Sequence, residues 1–156
     1  MPSTDMIFQP TDLNQKGRAI LDAARESEAR LRDKDGLALV MTRESRHSAL
    51  KAVAGAAANL LALEMVLATA PDRLPAIQEL GEWVWLREFS RSDLESFVAE
   101  MREAIVISSR EESEEPIRNA LYAWRVSAEA LEDPTRRAVL FNPGTEEDWV
   151  EVTRPE

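Results

Sequence analysis

A β-hairpin set in a chain that otherwise reads as helix is the feature that most narrows the fold. The stretch is Ala29-Arg-Leu-Arg-Asp-Lys-Asp-Gly-Leu-Ala-Leu-Val-Met-Thr42. Its Asp35-Gly36 pair predicts a two-residue loop, because such a loop needs φ > 0 at both central positions, which Gly adopts freely and Asp tolerates. The first arm alternates: Ala29 and Leu31 fall on one face and Arg30, Arg32 and Lys34 on the other, since successive strand side chains point to opposite sides. The second arm, Leu37 to Met41, is apolar throughout. That predicts burial on both faces, against helices on one side and a partner surface on the other. Two strands alone are marginal in water, so the hairpin needs covering helices or a second copy of itself.

Before the hairpin, Met6-Ile-Phe-Gln9 is a short apolar run ended by Pro10, which predicts an edge strand because Pro cannot donate to a ladder. Thr11 or Asp12 then caps a helix in which Leu13, Gly17, Ile20 and Ala24 form one buried stripe. After the hairpin, Glu44 to Ala70 reads as a single long helix, interrupted by no Pro and by Gly55 alone. Its run from Ala52 to Ala70 is apolar nearly all round, which raises the question of a membrane span. Asn59, Glu64 and Gly55, and the preponderance of Ala over Leu, Ile and Phe, favour a helix buried at a subunit interface instead. Pro71 and Pro75 close the helix and mark a boundary between residues 1–70 and 71–156.

The second part reads as helical throughout. Gln78 to Phe89 carries Trp83 and Trp85; Ser92 with Glu95 matches a capping box ahead of Leu94, Phe97, Val98, Met101 and Ile105. The acidic run Glu111 to Glu115 breaks the chain and favours the next helix through its dipole, with Ile117, Leu121, Trp124, Ala128 and Leu131 as the buried face. Asp133-Pro134 starts a short last helix to Phe141, and a tail follows with Trp149 and Val150 as its large apolar residues. The expected fold class is therefore α+β: a small N-terminal unit of short strand, helix, hairpin and long helix, followed by an all-helical acidic region.

Charge divides the chain in the same place. The net charge is −10, yet residues 1–58 carry nine Lys/Arg against eight Asp/Glu, and residues 59–156 carry ten against 21. A near-neutral front with clustered cations and a strongly acidic back imply two surfaces with different partners. With 156 residues, 44% of them apolar, a real core is expected. No Cys is present, so neither disulfides nor thiolate metal sites are available. The N-terminal residues show no secretory pattern, and a cytoplasmic location is expected.

Nothing in the sequence assembles a catalytic constellation: His47 has no evident dyad partner, no glycine-rich phosphate loop is present, and the carboxylates read as solvated helix faces. No catalytic residue, metal or cofactor is expected. Lys16 and Arg18 on the first helix, Arg30, Arg32 and Lys34 on one strand face, and Arg43 and Arg46 beyond the hairpin could instead converge on one cationic side, although spacing alone slightly favours an ordinary solvated surface of interspersed charges. Trp83, Trp85 and Trp149 are candidate partner-binding anchors, since interfaces are enriched in tryptophan; core filling is the plainer account of the rings.

Three wordings carry a family resemblance: Phe8-Gln-Pro-Thr-Asp-Leu-Asn14, Ile20-Leu-Asp-Ala-Ala24 and Leu31-Arg-Asp-Lys-Asp-Gly-Leu-Ala-Leu-Val40. In the order strand, helix, hairpin, long helix, the first 70 residues or so resemble the prevent-host-death (Phd/YefM) antitoxin family. The resemblance implies a homodimer that binds operator DNA of its own operon through the N-terminal domain, as a repressor, and neutralises a toxin protein through the C-terminal part. Its DNA-facing positions match Asn14, Lys16, Arg18, Arg30 and Arg32 here. Many members carry an arginine where this chain has Asn14 or Gln15, and the acidic region here is longer and richer in aromatics than the usual toxin-wrapping segment. The competing expectation is a protein-interaction module that never touches DNA.

Overall fold

The computed structural model describes residues 7–141, and the fold is α+β. The order is β1 (Ile7–Phe8), α1 (Asp12–Gln15), α2 (Gly17–Glu26), β2 (Glu28–Arg32), β3 (Ala38–Thr42), α3 (Glu44–Thr69), two 3-10 helices (Ile77–Glu79 and Gly81–Glu88), α4 (Arg91–Glu111), α5 (Glu115–Glu132) and α6 (Pro134–Phe141). Strand order is β1-β2-β3. β1 pairs parallel to β2, and β2 antiparallel to β3.

The hairpin forms with a different turn from the one its Asp-Gly pair predicts. Arg32 faces Ala38 and Leu31 faces Leu39, the Asp33 amide donates to the Leu37 carbonyl at 2.8 Å, and the Gly36 amide donates to the Asp33 carbonyl at 2.9 Å. Gly36 alone in the turn takes positive φ, at 81°. Asp35 keeps an ordinary backbone, so the connection is a tight turn closed by one left-handed glycine, the three-residue type of hairpin loop. The extra residue sets the register. Leu39 and Met41 thereby share a face with Ala29 and Leu31, because directly paired residues point the same way.

The first helix is also interrupted. Lys16, at φ −125°, separates α1 from α2, and Leu13 leaves the expected stripe to stand 47% exposed, whereas Ile20 and Ala24 are buried. They pack with Phe8, Ala29 and Leu31 into a small core. α2 thus covers one face of β2, leaving β3 open: Leu39 is 53% and Val40 58% exposed. Burial of the second arm on both faces is not achieved within one chain.

α3 is the element that joins the two cores. At about 1.5 Å per residue it is roughly 39 Å long, and by length and composition it could cross a bilayer. Leu60, Leu63 and Leu67 on one side of it pack into the large helical core around Phe97 and Met101, both fully buried. On another side Leu50, Leu61 and Met65 are each more than 60% exposed.

Beyond α3, the expected helix across Gln78–Phe89 is two 3-10 helices instead. Gly81, the first residue of the second, takes φ 55° and Trp83 departs from helical geometry. The capping box of α4 is built two residues earlier than Ser92 and Glu95: the Ser90 amide donates to the Asp93 carboxylate at 3.0 Å and the Asp93 amide to the Ser90 hydroxyl at 3.3 Å. Both pairs satisfy the sequence rule, and the extended backbone at Ser90 decides between them. α4 ends at Glu112, the one non-glycine residue with positive φ among those described. In α5, Ile117 and Ala128 are buried while Leu121, Trp124 and Leu131 pack against the core half-exposed.

Candidate nucleic-acid and partner interfaces

The sheet sorts the candidate cations onto two layers. β2 presents Ala29 and Leu31 to α2 and therefore projects Arg30 and Arg32 from the opposite face, beside Ala38 and Val40. Asn14, Lys16 and Arg18 are exposed on α1, the α1–α2 junction and α2. The strand pair and the helix group thus occupy different layers of one chain and do not meet on a single surface.

Carboxylates attend most of these cations. Lys16 lies 3.0 Å from Asp12, Arg18 4.0 Å from Asp22, and Arg30 2.7 Å from Glu28. The Gln9 amide, donating to Asp12 at 2.8 Å, holds that carboxyl below its usual range, with Lys16 adding to the effect. Arg32 makes no ion pair among the described residues. Arg43 and Arg46 are drawn away from both groups: each reaches Glu112 at the end of α4, and Arg46 also donates to the Ser27 hydroxyl at 3.0 Å. This link ties the hairpin base to the helical half across 69 positions of sequence, and nothing local in the sequence announces it.

Next to β3 lies an open hollow of about 650 Å³, walled by Leu13, Leu31, Leu39, Met41 and His47. It is the part of the sheet's inner face that α2 does not reach. His47 is exposed there, and no group of residues with metal-ligand chemistry occurs among the described residues.

In the helical half, Trp83 is 5% exposed and meets Phe97 edge-on at 5.0 Å, and Trp85 meets the same ring at 5.8 Å with the Arg125 guanidinium over its own face. Both rings are structural parts of the core, while Trp149 lies outside the described residues. Beside Trp83 a groove of about 450 Å³ opens between α3 and α5. Sequence reading missed it. Its one signal is the cluster of small residues Ala52, Gly55 and Ala56 at helical spacing on α3.

No protein-family model, curated protein or solved structure matches this chain.

Proposed function

We propose that the chain is an antitoxin-like protein: a cytoplasmic homodimer that binds operator DNA through its N-terminal unit and neutralises a toxin protein through its acidic helical region. The observation that supports this most is the uncovered sheet. Leu39 and Met41 on the α2-facing side of β3, and Leu50, Leu61 and Met65 on α3, are too much exposed apolar surface for an isolated small domain, and a second copy covers it without introducing charge. On that dimer Arg30 and Arg32 of both copies project from an open sheet face toward phosphate. A toxin that acts on nucleic acid would carry a basic surface, to which the acidic half is complementary.

A second reading, an interaction module that never touches DNA, draws support from the carboxylates beside Lys16, Arg18 and Arg30. One experiment separates the two. A labelled fragment from upstream of the gene is titrated with the full chain and with the Arg30→Glu/Arg32→Glu double variant, and the tagged chain is co-purified with the product of the neighbouring gene. Operator binding lost in the double variant, with the neighbour retained, supports the antitoxin reading. No binding by the wild type supports the module. The full chain is required, because a cut after Ala70 would expose Leu60, Leu63 and Leu67.

A further inference from the structure

The groove between α3 and α5 continues past its apolar section. A second hollow of about 410 Å³, lined by Ser45, Ser48 and Ser113, shares Glu114 and Arg118 with the first. On α3 the floor runs Ser45, Ser48, Ala52, Gly55, Asn59 at spacings of three and four, one face of a helix. At about 1.5 Å per residue that face is about 21 Å long, close to four helical turns. Trp83, Ile117 and Leu121 supply the apolar base, and Tyr122 stands 70% exposed at the rim.

We propose that this groove is the docking site for a basic amphipathic helix of a partner protein, which deepens the reading of the acidic half as the toxin-binding region and rests on it. Three features select that occupant. The groove is bounded by helical elements whose backbone groups are paired internally, so an extended peptide would find no strand edge to bond, whereas a helix brings its own backbone satisfied. The small side chains of the floor permit close approach of a third helix, whose separation from its neighbours is set by the residues at the contact. The rim is acidic: Glu44, Glu82, Glu114 and Glu115 stand against Arg118 and Arg125, a net of −2. Arg118 is engaged by Glu114 and Glu115, and Arg125 lies over Trp85. Neither Glu44 nor Glu82 is in an ion pair among the described residues; the Asn59 side-chain amide donates to Glu82 at 3.1 Å, a neutral partner that leaves both charges uncompensated for cations from outside. The same charge turns phosphate away.

Gly55 gives a means of blocking the groove without disturbing the fold, because no heavy atom lies within 4 Å of the place a Cβ would occupy. The test uses the full-length protein and a fluorescein-labelled 18-residue helical peptide of Leu and Lys, with Leu at i, i+3, i+4 and i+7, followed by anisotropy. A Leu/Glu peptide of the same pattern is the control. The wild type is expected to bind the Leu/Lys peptide and not the Leu/Glu one, and Gly55→Trp is expected to weaken binding at least tenfold with Tm unchanged or raised. Should Gly55→Trp fail to fold, Tyr122→Ala, an exposed truncation, is expected to weaken binding about fivefold.

Binding of the Leu/Lys peptide to a folded Gly55→Trp, or to Tyr122→Ala, within twofold of wild type overturns the proposal, as does no binding by the wild type. A Gly55→Trp chain that turns from dimer to monomer overturns it too, by making the groove a contact between copies. The wider reading fails separately. A neighbouring gene product held equally by wild type and Gly55→Trp leaves the antitoxin reading standing without this groove. Peptide binding lost in Gly55→Trp, in a chain that binds neither operator nor neighbour, leaves the groove standing without the antitoxin reading.

Discussion

Glu79 shows how much one half-buried carboxylate can be asked to hold. Arg73 gives both terminal nitrogens to it at 2.7 Å each, and the Ala76 amide adds a third bond at 2.7 Å. Those bonds, Arg73's first, hold its carboxyl at about 2 against an ordinary 4.5. The unfolded chain therefore takes up more protons than the folded one between these values, and the stabilisation is complete above 4.5 and lost as pH falls toward 2. Glu79→Gln removes the dependence. The Tm advantage of wild type over this variant is expected to be constant from about pH 7 to 5 and gone near pH 2; an advantage independent of pH across that range would contradict the assignment. Gly36 and Gly55 make a second comparison, because open space surrounds the Cβ position of both. Backbone alone decides the sign. Gly36 sits at φ 81°, so Gly36→Ala is expected to cost about 1 kcal/mol, whereas Gly55 lies inside α3 and Gly55→Ala is expected to gain roughly 0.5–1 kcal/mol. Denaturant midpoints that move the same way for both would refute this.

Among the elements, the junction between α3 and α4 is held by one side chain that no periodicity reveals. Arg91, in the first turn of α4, donates to the carbonyls of Leu67 and Ala70 at the end of α3, at 2.6 and 3.2 Å, groups of the kind a helix end leaves unpaired, and to that of Arg73 in the following turn at 3.3 Å. Arg91→Leu is expected to cost on the order of 1.5 kcal/mol in urea unfolding, since these are bonds from a charged donor; a loss below a few tenths would mean that water replaces them freely. What the sequence made legible follows the same division between local and distant causes. α3 and α6 fall within a residue or so of their expected bounds because helical spacing and proline are local signals. The hairpin was legible as a hairpin, but Asp35-Gly36 fits two loop types, and the choice depends on which pairing buries Ala29 and Leu31 under α2. The helix expected through Gly81 failed because that residue's positive φ lets the chain turn Trp83 into the core. Of the candidate site, the strand alternation correctly paired Arg30 with Arg32. It could not say on which side of the sheet α2 would lie, and so could not foresee that Lys16 and Arg18 would be parted from them.

At the scale of the whole molecule, exposed apolar surface and divided charge bear on two measurements. The hollow beside β3 and the outer side of α3 predict a dimer at micromolar concentration by sedimentation. Leu39→Glu, which places a charge in the hollow without altering the α2 core, is expected to yield folded monomer; a wild-type monomer with intact far-UV signal would leave that surface unexplained. If the chain binds DNA as proposed, the outcome depends on which cations face the duplex. The acidic half opposes DNA, but charges separated by more than a Debye length, about 8 Å at physiological salt, are largely screened. If only the open sheet face engages, Arg30 and Arg32 of two copies neutralise about four phosphates, and the log–log slope of affinity against salt should lie near −3.6. Should the dimer also bring Lys16 and Arg18 of both copies to the backbone, about eight phosphates are neutralised and the slope doubles to about −7. Lys16→Ala/Arg18→Ala decides between the two, because it leaves the first slope unchanged and returns the second to about −3.6. A slope near zero in the wild type would mean that the carboxylates beside these cations already satisfy them, and would assign the sheet face to a protein partner.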